Sequence, residues 1–213
     1  DRTWEESWKN IFQYHNKSLF NKLTDENWSN LGNSLKKYYP MQASEISTIA
    51  KEFNILFPQQ YVSFNYLAGW VYYHELAHTD LYLVKNIDHF PRECTGIIAQ
   101  SKINENDSTI HHVANMDQSP TAVRNVTLHV QFINGTKDDI LFQGVDFYWF
   151  TTGLSRMVLK GYVSVQENWR TSDPPLSSIQ VINDIQRGVI PQMFLFRKTM
   201  ERIVSLHSHL NVY

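Results

Sequence analysis

The chain has 213 residues, enough for one sizeable domain or two small ones, and it can bury a hydrophobic core. Its 19 basic and 21 acidic side chains nearly balance, so charge gives no reason to expect nucleic acid as a partner. Aromatic residues make up 14% of the chain, which favours a packed globular protein, and no apolar run reaches the ~18 residues of a membrane-spanning helix. The chain opens on Asp-Arg-Thr-Trp, which is not signal-peptide sequence and is typical of a trimmed start.

The first 93 residues carry apolar side chains at helical spacing. An apolar stripe from Leu19 to Leu35 is interrupted at Thr24-Asp25-Glu26, where Thr24 or Asp25 can cap a new helix. A further helix is predicted over Ala43–Phe57. Pro58 then opens a longer apolar segment through Val84, which predicts a largely buried helix.

After residue 93 the apolar pattern changes to the period of two that is typical of strands. Strands are predicted at Thr95–Gln100, Thr109–Ala114, Val123–Ile133 and Asp138–Val145, with further strand-like sequence at Trp149–Thr152 and Lys160–Gln166. Asn134-Gly135 is a turn signal that predicts a hairpin over Val126–Phe142. Pro174-Pro175 ends this pattern, and helices are predicted at Leu176–Arg187 and Pro191–Ser205. The order of elements predicts an α+β fold, divided into a helical segment 1–93 and a core 94–213.

Five asparagines begin an Asn-X-Ser/Thr glycosylation sequon, where about two are expected by chance: Asn16, Asn27, Asn106, Asn125 and Asn134. This excess predicts a lysosomal or secreted protein. The alternative is a cytosolic protein whose sequons are unused. Cys94 is the only cysteine, so disulfides give no information on the compartment.

One stretch of the helical segment, His74-Glu-Leu-Ala-His78, matches the H-E-x-x-H motif of zinc hydrolases. In such enzymes the two histidines hold the metal and the glutamate activates its water. The possible third ligands His89 and Glu93 flank Pro91, which disfavours a ligand helix there, and Leu81 and Val84 replace the glycine and histidine of the longer metzincin motif. A zinc hydrolase is therefore a remote alternative. The favoured interpretation is a packed helix with a buried structural Glu75 and no bound metal or other cofactor.

Cys94 lies where the helical pattern ends and the strand pattern begins. Taken alone, a cysteine at a strand start is typical of a small buried hydrophobic residue. Its surroundings, Pro91-Arg-Glu-Cys-Thr-Gly-Ile-Ile-Ala-Gln100, resemble the Cys-Thr-Ser-Ile-Val-Ala segment of the acid ceramidase and N-acylethanolamine acid amidase family.

The resemblance continues in order over roughly residues 10 to 213. His112-Val-Ala-Asn-Met-Asp117 is similar to the family's His-Gly-Arg-Asn-x-Asp. Thr152-Gly-Leu154, followed by Gly161-Tyr-Val-Ser-Val-Gln-Glu167-Asn, resembles its Thr-Gly-x and Phe-Ser-x-x-x-Asn-Glu-Arg segments. Ile190–Thr199 resembles the helix that follows, and Leu210–Tyr213 the start of a strand that the family continues.

The resemblance implies a cysteine hydrolase of the N-terminal-nucleophile class, which cuts its own chain just before the cysteine. Cleavage of the Glu93–Cys94 bond would give Cys94 a free α-amine, whose pKa is near ~8 in model compounds, to serve as base for its own thiol. By position the resemblance implies supporting roles for Asn115, Asp117 and Glu167. It implies a four-layer αββα sandwich in which the C-terminal part is missing, and a fatty acyl amide substrate of the N-acylethanolamine or ceramide type. It also implies a lipid- or membrane-facing surface on the N-terminal helices.

Three features depart from the family pattern. Ala114 stands where the motif has an arginine, and losing a charge that orients a nucleophile commonly costs orders of magnitude in rate. Arg156 or Arg170 could replace it in three dimensions. The chain also ends before the family's later asparagine, and the segment from Tyr82 to Glu93 is longer than expected. The alternative function is therefore an inactive relative that binds protein partners.

Overall fold

The computed structural model describes residues 2–18, 20–77, 79–80, 94–104, 107–116, 121–133, 140–147, 156–159, 163–166 and 176–210. Five helices come first: α1 Arg2–Ser18, α2 Asp25–Tyr38, α3 Pro40–Leu56, α4 Phe64–Val71 and α5 Tyr73–Ala77. Six strands follow: β1 Cys94–Asn104, β2 Asp107–Met116, β3 Thr127–Ile133, β4 Ile140–Phe147, β5 Arg156–Leu159 and β6 Val163–Gln166. Two helices come last: α6 Ser178–Gln186 and α7 Gln192–Leu210. The fold is α+β, as predicted.

Side-chain capping explains where two of the helices start. Thr24, one of the two predicted caps, caps α2, because its side chain accepts a hydrogen bond from the Asn27 backbone while the Asn27 side chain accepts from the Thr24 backbone. Ser63, which was not predicted as a cap, caps α4 by accepting from the Tyr66 backbone at 3.1 Å. The prediction of one long helix from Pro58 to Val84 is wrong. Residues 58–63 are not helical, and Tyr72 separates α4 from α5.

The strands differ from the prediction at two places. Residues 123–126, predicted as strand, belong to a 3-10 turn over Thr121–Val126. Val123 and Val126 are buried in the helical core, because a spacing of three places both on one face of a 3-10 turn. Strand β5, Arg156–Leu159, was not predicted. The strand predicted at Trp149–Thr152 lies outside the described residues.

The N-terminal helices enclose an aromatic core that the C-terminal helices complete. The centre of the Phe20 ring lies 4.8 Å from that of the Trp70 ring and 5.1 Å from that of the Trp28 ring. Both are edge-on contacts, which the quadrupoles of aromatic rings favour. From the C-terminal helices, Ile182 and Ile185 of α6 and Met193 and Phe194 of α7 are buried in the same core. Both ends of the chain therefore stabilise one helical body.

Strands β3 to β6 form an antiparallel sheet in chain order, with α7 on one face. Phe142 and Met157 of the sheet are buried with Met200 of α7. Val163 and Val165 of β6 pack on this side, so strand alternation directs Ser164 and Gln166 to the opposite face. The predicted hairpin is confirmed by the β3–β4 pairing, with Phe132 opposite Phe142. Its turn residues lie outside the described part of the chain.

Strands β1 and β2 form a separate antiparallel hairpin that contacts the face of β6 remote from α7. Both faces of this hairpin are largely exposed. Ile97 and Val113, which are opposite each other in register on one face, are 55% and 57% exposed, and Ile98 and Ile110 on the other face are 74% and 69% exposed.

Arg197 of α7 joins the helical body to the sheet. Its guanidinium donates two hydrogen bonds to the carboxylate of Glu45 on α3, at 2.7 and 2.9 Å, and one to Glu201, at 2.9 Å. It also lies over the ring of Phe132 on β3, 4.9 Å from the ring centre. Burial by itself lowers the pKa of Arg197, but the hydrogen bonds and charges of Glu45 and Glu201 raise it above its usual value, so the side chain stays charged.

None of the helices in the described part of the chain has both the length and the apolar character needed to cross a bilayer. The aromatic side chains of α1 to α4, predicted to form a lipid-facing surface, mostly lie in the core. The exposed apolar side chains near the end of α3 are Ile55, Leu56 and Tyr61.

Candidate functional site

The start of β1 and the end of β2 lie at one end of the hairpin. Cys94 is opposite Met116 in register, and Thr95 is opposite Asn115. Two of the sequence-predicted site residues, Cys94 and Asn115, are therefore in adjacent register positions on neighbouring strands. Asp117 follows Met116 in the chain, and both Asp117 and Glu93 lie outside the described residues.

Strand β6 approaches the same end of the hairpin. Ser164 lies 2.6 Å from His112, measured from the hydroxyl oxygen to Nδ1, and His112 is opposite Ile98. Gln166 contacts Gly96, which is two residues closer to Cys94. The strand therefore runs toward the Cys94 end of β1. Glu167, the fourth predicted catalytic residue, follows Gln166 and lies outside the described part of the chain.

Gly96 permits the contact with β6 because it has no side chain. A Cβ atom at this position would collide with the side-chain amide of Gln166, whose carbon would be 2.7 Å away. A glycine inside a strand often marks such a close approach. Neither Gly96 nor Gln166 was predicted to belong to the site. The glycine within the Cys94 strand was the one available signal.

The arginine that the sequence lacks at residue 114 has a possible substitute on β5. Ala114 is opposite Gly96 in the hairpin, and Arg156 is opposite Gln166 in the β5–β6 pairing. Gln166 of β6 contacts Gly96, the partner of Ala114. The backbone of Arg156 on β5 therefore lies one strand further from Ala114 than β6 does. Arg170, the other candidate, lies outside the described residues.

His112 is too far along its strand to act as the base for Cys94. It precedes Met116, the partner of Cys94, by four residues, which is about 14 Å along a strand. Its contact with Ser164 instead joins the hairpin to the sheet. His111 likewise contacts Ser101, at 2.9 Å, across the hairpin.

The H-E-x-x-H segment has a structural role at the C-terminal helices. The carboxylate of Glu75 accepts a hydrogen bond from the backbone N–H of Gln192 at 2.7 Å, at the first residue of α7. Asp80 accepts one from the backbone N–H of Ser178 at 3.0 Å, at the first residue of α6. Carboxylates stabilise helix N-termini, where N–H groups are unpaired and the helix dipole is positive.

Glu75 also lies near Tyr39 and Tyr72, whose pKa values are raised mainly by burial and further by the charge of Glu75. Burial raises the pKa of Tyr72, and the nearby Tyr39 and Glu75 raise it further. Burial and Glu75 raise the pKa of Tyr39, whose hydroxyl donates to the carbonyl oxygen of Gly188 at 3.0 Å. The interpretation of Glu75 as a structural carboxylate is supported by these contacts, although the side chain is half-buried and not fully enclosed.

Among the described residues, no group of three or more histidine, cysteine, aspartate or glutamate side chains is placed to hold a metal ion. The side chain of His74 and the whole of His78 lie outside them. The observation that bears on the zinc alternative is therefore the hydrogen bond that the Glu75 carboxylate accepts from the first residue of α7.

Replacing Glu75 by alanine should lower the free energy of unfolding by about 1 kcal/mol, because the first turn of α7 loses its acceptor. Glu75→Gln, which keeps an oxygen acceptor, should cost less than half of that. Denaturant unfolding measures both, and Glu52→Ala on the exposed face of α3 should change stability by less than about 0.5 kcal/mol. Stoichiometric zinc in the purified protein, with loss of hydrolysis in Glu75→Gln, would contradict a structural role.

Three of the five predicted glycosylation sites, Asn16, Asn27 and Asn125, belong to the described residues, and each forms a side-chain hydrogen bond. Asn106 and Asn134 lie outside the described residues. The Asn125 side-chain nitrogen donates to the Ser7 hydroxyl at 2.9 Å, and the Asn27 oxygen accepts from the Thr24 backbone at 3.1 Å. The oxygen of Asn16 accepts from the hydroxyl of Tyr66 at 3.0 Å.

No family model matches the chain, and neither the curated proteins nor the solved structures that were compared with it include a match.

Proposed function

We propose that the protein is a cysteine amidase of the N-terminal-nucleophile class, similar to the acid ceramidase and N-acylethanolamine acid amidase family. The observation that carries the proposal is the convergence of three chain segments. The start of β1 with Cys94, the end of β2 with Asn115 and the end of β6 with Gln166 meet at one end of the hairpin. These are the segments on which the family resemblance rests, although they are far apart in the sequence.

The proposed chemistry starts with cleavage of the Glu93–Cys94 peptide bond. The new α-amine of Cys94 takes the thiol proton, and the thiolate attacks the carbonyl carbon of an acyl amide. The α-ammonium then returns this proton to the amide nitrogen of the substrate, the C–N bond breaks, and the amine of the substrate leaves the acyl thioester. Water then attacks the thioester and releases a fatty acid and the free thiol. Asp117 would orient the amine and the substrate, Glu167 would assist from the sheet side, and Asn115 stands where the family motif has its asparagine.

We propose a four-layer αββα sandwich of the N-terminal-nucleophile type. Helix α7 on one face of the four-stranded sheet and the contact of the hairpin with β6 support this proposal. The exposed apolar side chains on both faces of the hairpin, such as Ile97 and Ile98, suit strands that further layers cover. In this proposal Arg156 supplies the positive charge that Ala114 cannot.

The second candidate is an inactive relative that binds a protein partner. Ala114 favours it, because the register pairs this uncharged residue with Gly96 beside the proposed nucleophile. A lysosomal or secreted location suits both candidates, since it depends on the sequons and not on catalysis. Contact of the N-terminal helices with a membrane surface stays a prediction that belongs to the amidase alone.

The two candidates differ in the covalent state of the chain. After incubation at acidic pH, N-terminal sequencing and intact mass should reveal a new terminus that begins Cys-Thr-Gly-Ile-Ile-Ala. A chain that stays joined through Glu93–Cys94, and that hydrolyses no acyl amide, would support the inactive relative. Cleavage elsewhere between residues 78 and 93, with no terminus at Cys94, would contradict the proposed nucleophile.

A further inference from the structure

A groove of about 510 Å³ lies between α1 and the segment that connects α3 to α4. Its volume is within the range of about 300–1,000 Å³ that is typical of ligand sites. Its lining combines polar side chains, among them Glu5, Lys9 and Asn16, with apolar ones such as Phe12 and Val62. A pyranose, which has hydroxyls at its edge and an apolar C–H face, suits such a mixed lining.

Asn16 lines this groove and is the first residue of an Asn-Lys-Ser sequon. The hydroxyl of Tyr66 donates to its side-chain oxygen at 3.0 Å, which fixes the plane of the amide. This bond engages the oxygen and not the nitrogen to which a glycan is attached. Burial raises the pKa of Tyr66, so its hydroxyl remains a donor at any pH at which proteins fold.

The other two described sequons lack this combination. The nitrogen of Asn125 already donates to Ser7, and neither Asn125 nor Asn27 lines the groove. Only at Asn16, among the described sequons, does the acceptor nitrogen belong to a side chain at a groove large enough for a sugar.

One other residue of the groove has the chemistry to hold a sugar. Tyr61 is 77% exposed and lines the same groove as Asn16. The C–H face of a pyranose packs well on such a ring, because the face of the aromatic ring is the negative end of its quadrupole.

We propose that Asn16 carries an N-linked glycan whose first N-acetylglucosamine lies in this groove. The C–H face of the sugar packs on the exposed ring of Tyr61. It thereby links α1 to the segment between α3 and α4, two parts of the helical body that are otherwise joined there by the Gln60–Glu5 hydrogen bond of 3.4 Å. This inference does not depend on the amidase chemistry at Cys94.

The test uses Ser18→Ala, which destroys the sequon and leaves Asn16 and its bond to Tyr66 in place. Glycopeptide mass spectrometry on the protein from a glycosylating cell should show occupancy at Asn16. In that host Ser18→Ala should lower Tm by about 2–4 °C, which is roughly the fall expected when about 1 kcal/mol of stability is lost. When the original protein and Ser18→Ala are made in a host without N-glycosylation, their Tm values should agree within about 1 °C. Ser29→Ala, which destroys the Asn27 sequon and leaves the bonds between Asn27 and Thr24 in place, is the matched control for loss of a glycan outside the groove.

Tyr61→Ala separates a sugar held in the groove from a glycan that stabilises the chain without docking. In the Tyr61→Ala background, the effect of Ser18→Ala in the glycosylating host should fall to less than half. An unoccupied Asn16 would overturn the proposal. So would an equal effect of Ser18→Ala with and without Tyr61, or an equal effect of Ser18→Ala in both hosts.

Discussion

Cys94→Ala is expected to abolish both chain cleavage and amide hydrolysis, with a loss of at least about 10³-fold in rate, because the nucleophile and its α-amine belong to the same residue. Cys94→Ser should retain slow cleavage and little hydrolysis, since a hydroxyl at its ordinary pKa is a weaker nucleophile than a thiolate. The measurements are the intact mass after acid incubation and the release of fatty acid from an N-acylethanolamine and from a ceramide.

Ser101→Ala is the matched control for the Cys94 variants. It removes one side-chain heteroatom from the same strand, seven residues along, where Ser101 contacts His111. Its cleavage and hydrolysis should stay within about twofold of the original protein. Undiminished hydrolysis in Cys94→Ala would contradict the proposed nucleophile. A wild-type chain that neither cleaves nor hydrolyses either lipid would support the inactive relative.

Arg197→Ala is expected to destabilise the protein by about 2–3 kcal/mol. The substitution removes three charge-assisted hydrogen bonds and the contact with Phe132, and it leaves a cavity where α3, α7 and β3 meet. Breaking a fully buried ion pair costs about 3–5 kcal/mol. The smaller value is expected here because the side chains of Glu45 and Glu201 are 36% and 38% exposed and can be rehydrated.

Denaturant unfolding and thermal unfolding both measure the Arg197 effect, with an expected fall in Tm of about 4–12 °C. Arg197→Lys keeps the charge but cannot form the two parallel bonds to Glu45, so about half of the loss should remain. Lys198→Ala, one residue along on the exposed face of α7, should change stability by less than about 0.5 kcal/mol. An Arg197→Ala protein as stable as Lys198→Ala would show that the network adds nothing to stability.

Titration of the Arg197 side chain is not expected to change its contribution to stability at neutral or acidic pH. The raised pKa of Arg197 means that its contribution is fully present below the pKa of an unfolded arginine and is lost only as the pH rises above it. At neutral and acidic pH the guanidinium is charged in both the folded and the unfolded chain. The expected loss in Arg197→Ala is thus the same at pH 5 and pH 7 as far as this group is concerned.

Local signals predicted most of the secondary structure. The break at Thr24-Asp25-Glu26 coincides with the start of α2 because Thr24 and Asn27 satisfy each other's backbone groups within four residues. The alternation of apolar and polar residues, which is also a local signal, predicted β1, β2 and the β3–β4 hairpin. The prediction was wrong at Val123 and Val126, where a turn with a spacing of three buries the same apolar residues that a strand would.

The candidate site was predicted only in part. The sequence drew attention to Cys94 and Asn115, and the register of the hairpin brings their backbones together. The contact between Gly96 and Gln166 could not be predicted, because the two residues are 70 positions apart and neither is chemically conspicuous. The roles of Asp117 and Glu167 stay predictions, since both lie outside the described residues.

By itself the sequence determined the α+β class, most helix and strand positions, and which cysteine could act as a nucleophile. These depend on periodicity, caps and turns, which act within a few residues. Only the tertiary structure decided which distant groups meet. It assigned Glu75 of the apparent zinc motif to the first N–H of α7, 117 residues away, and Arg197 to Glu45, 152 residues away. The reason is that a buried charge or an unpaired helix terminus must find a partner in space, and no local pattern specifies which one.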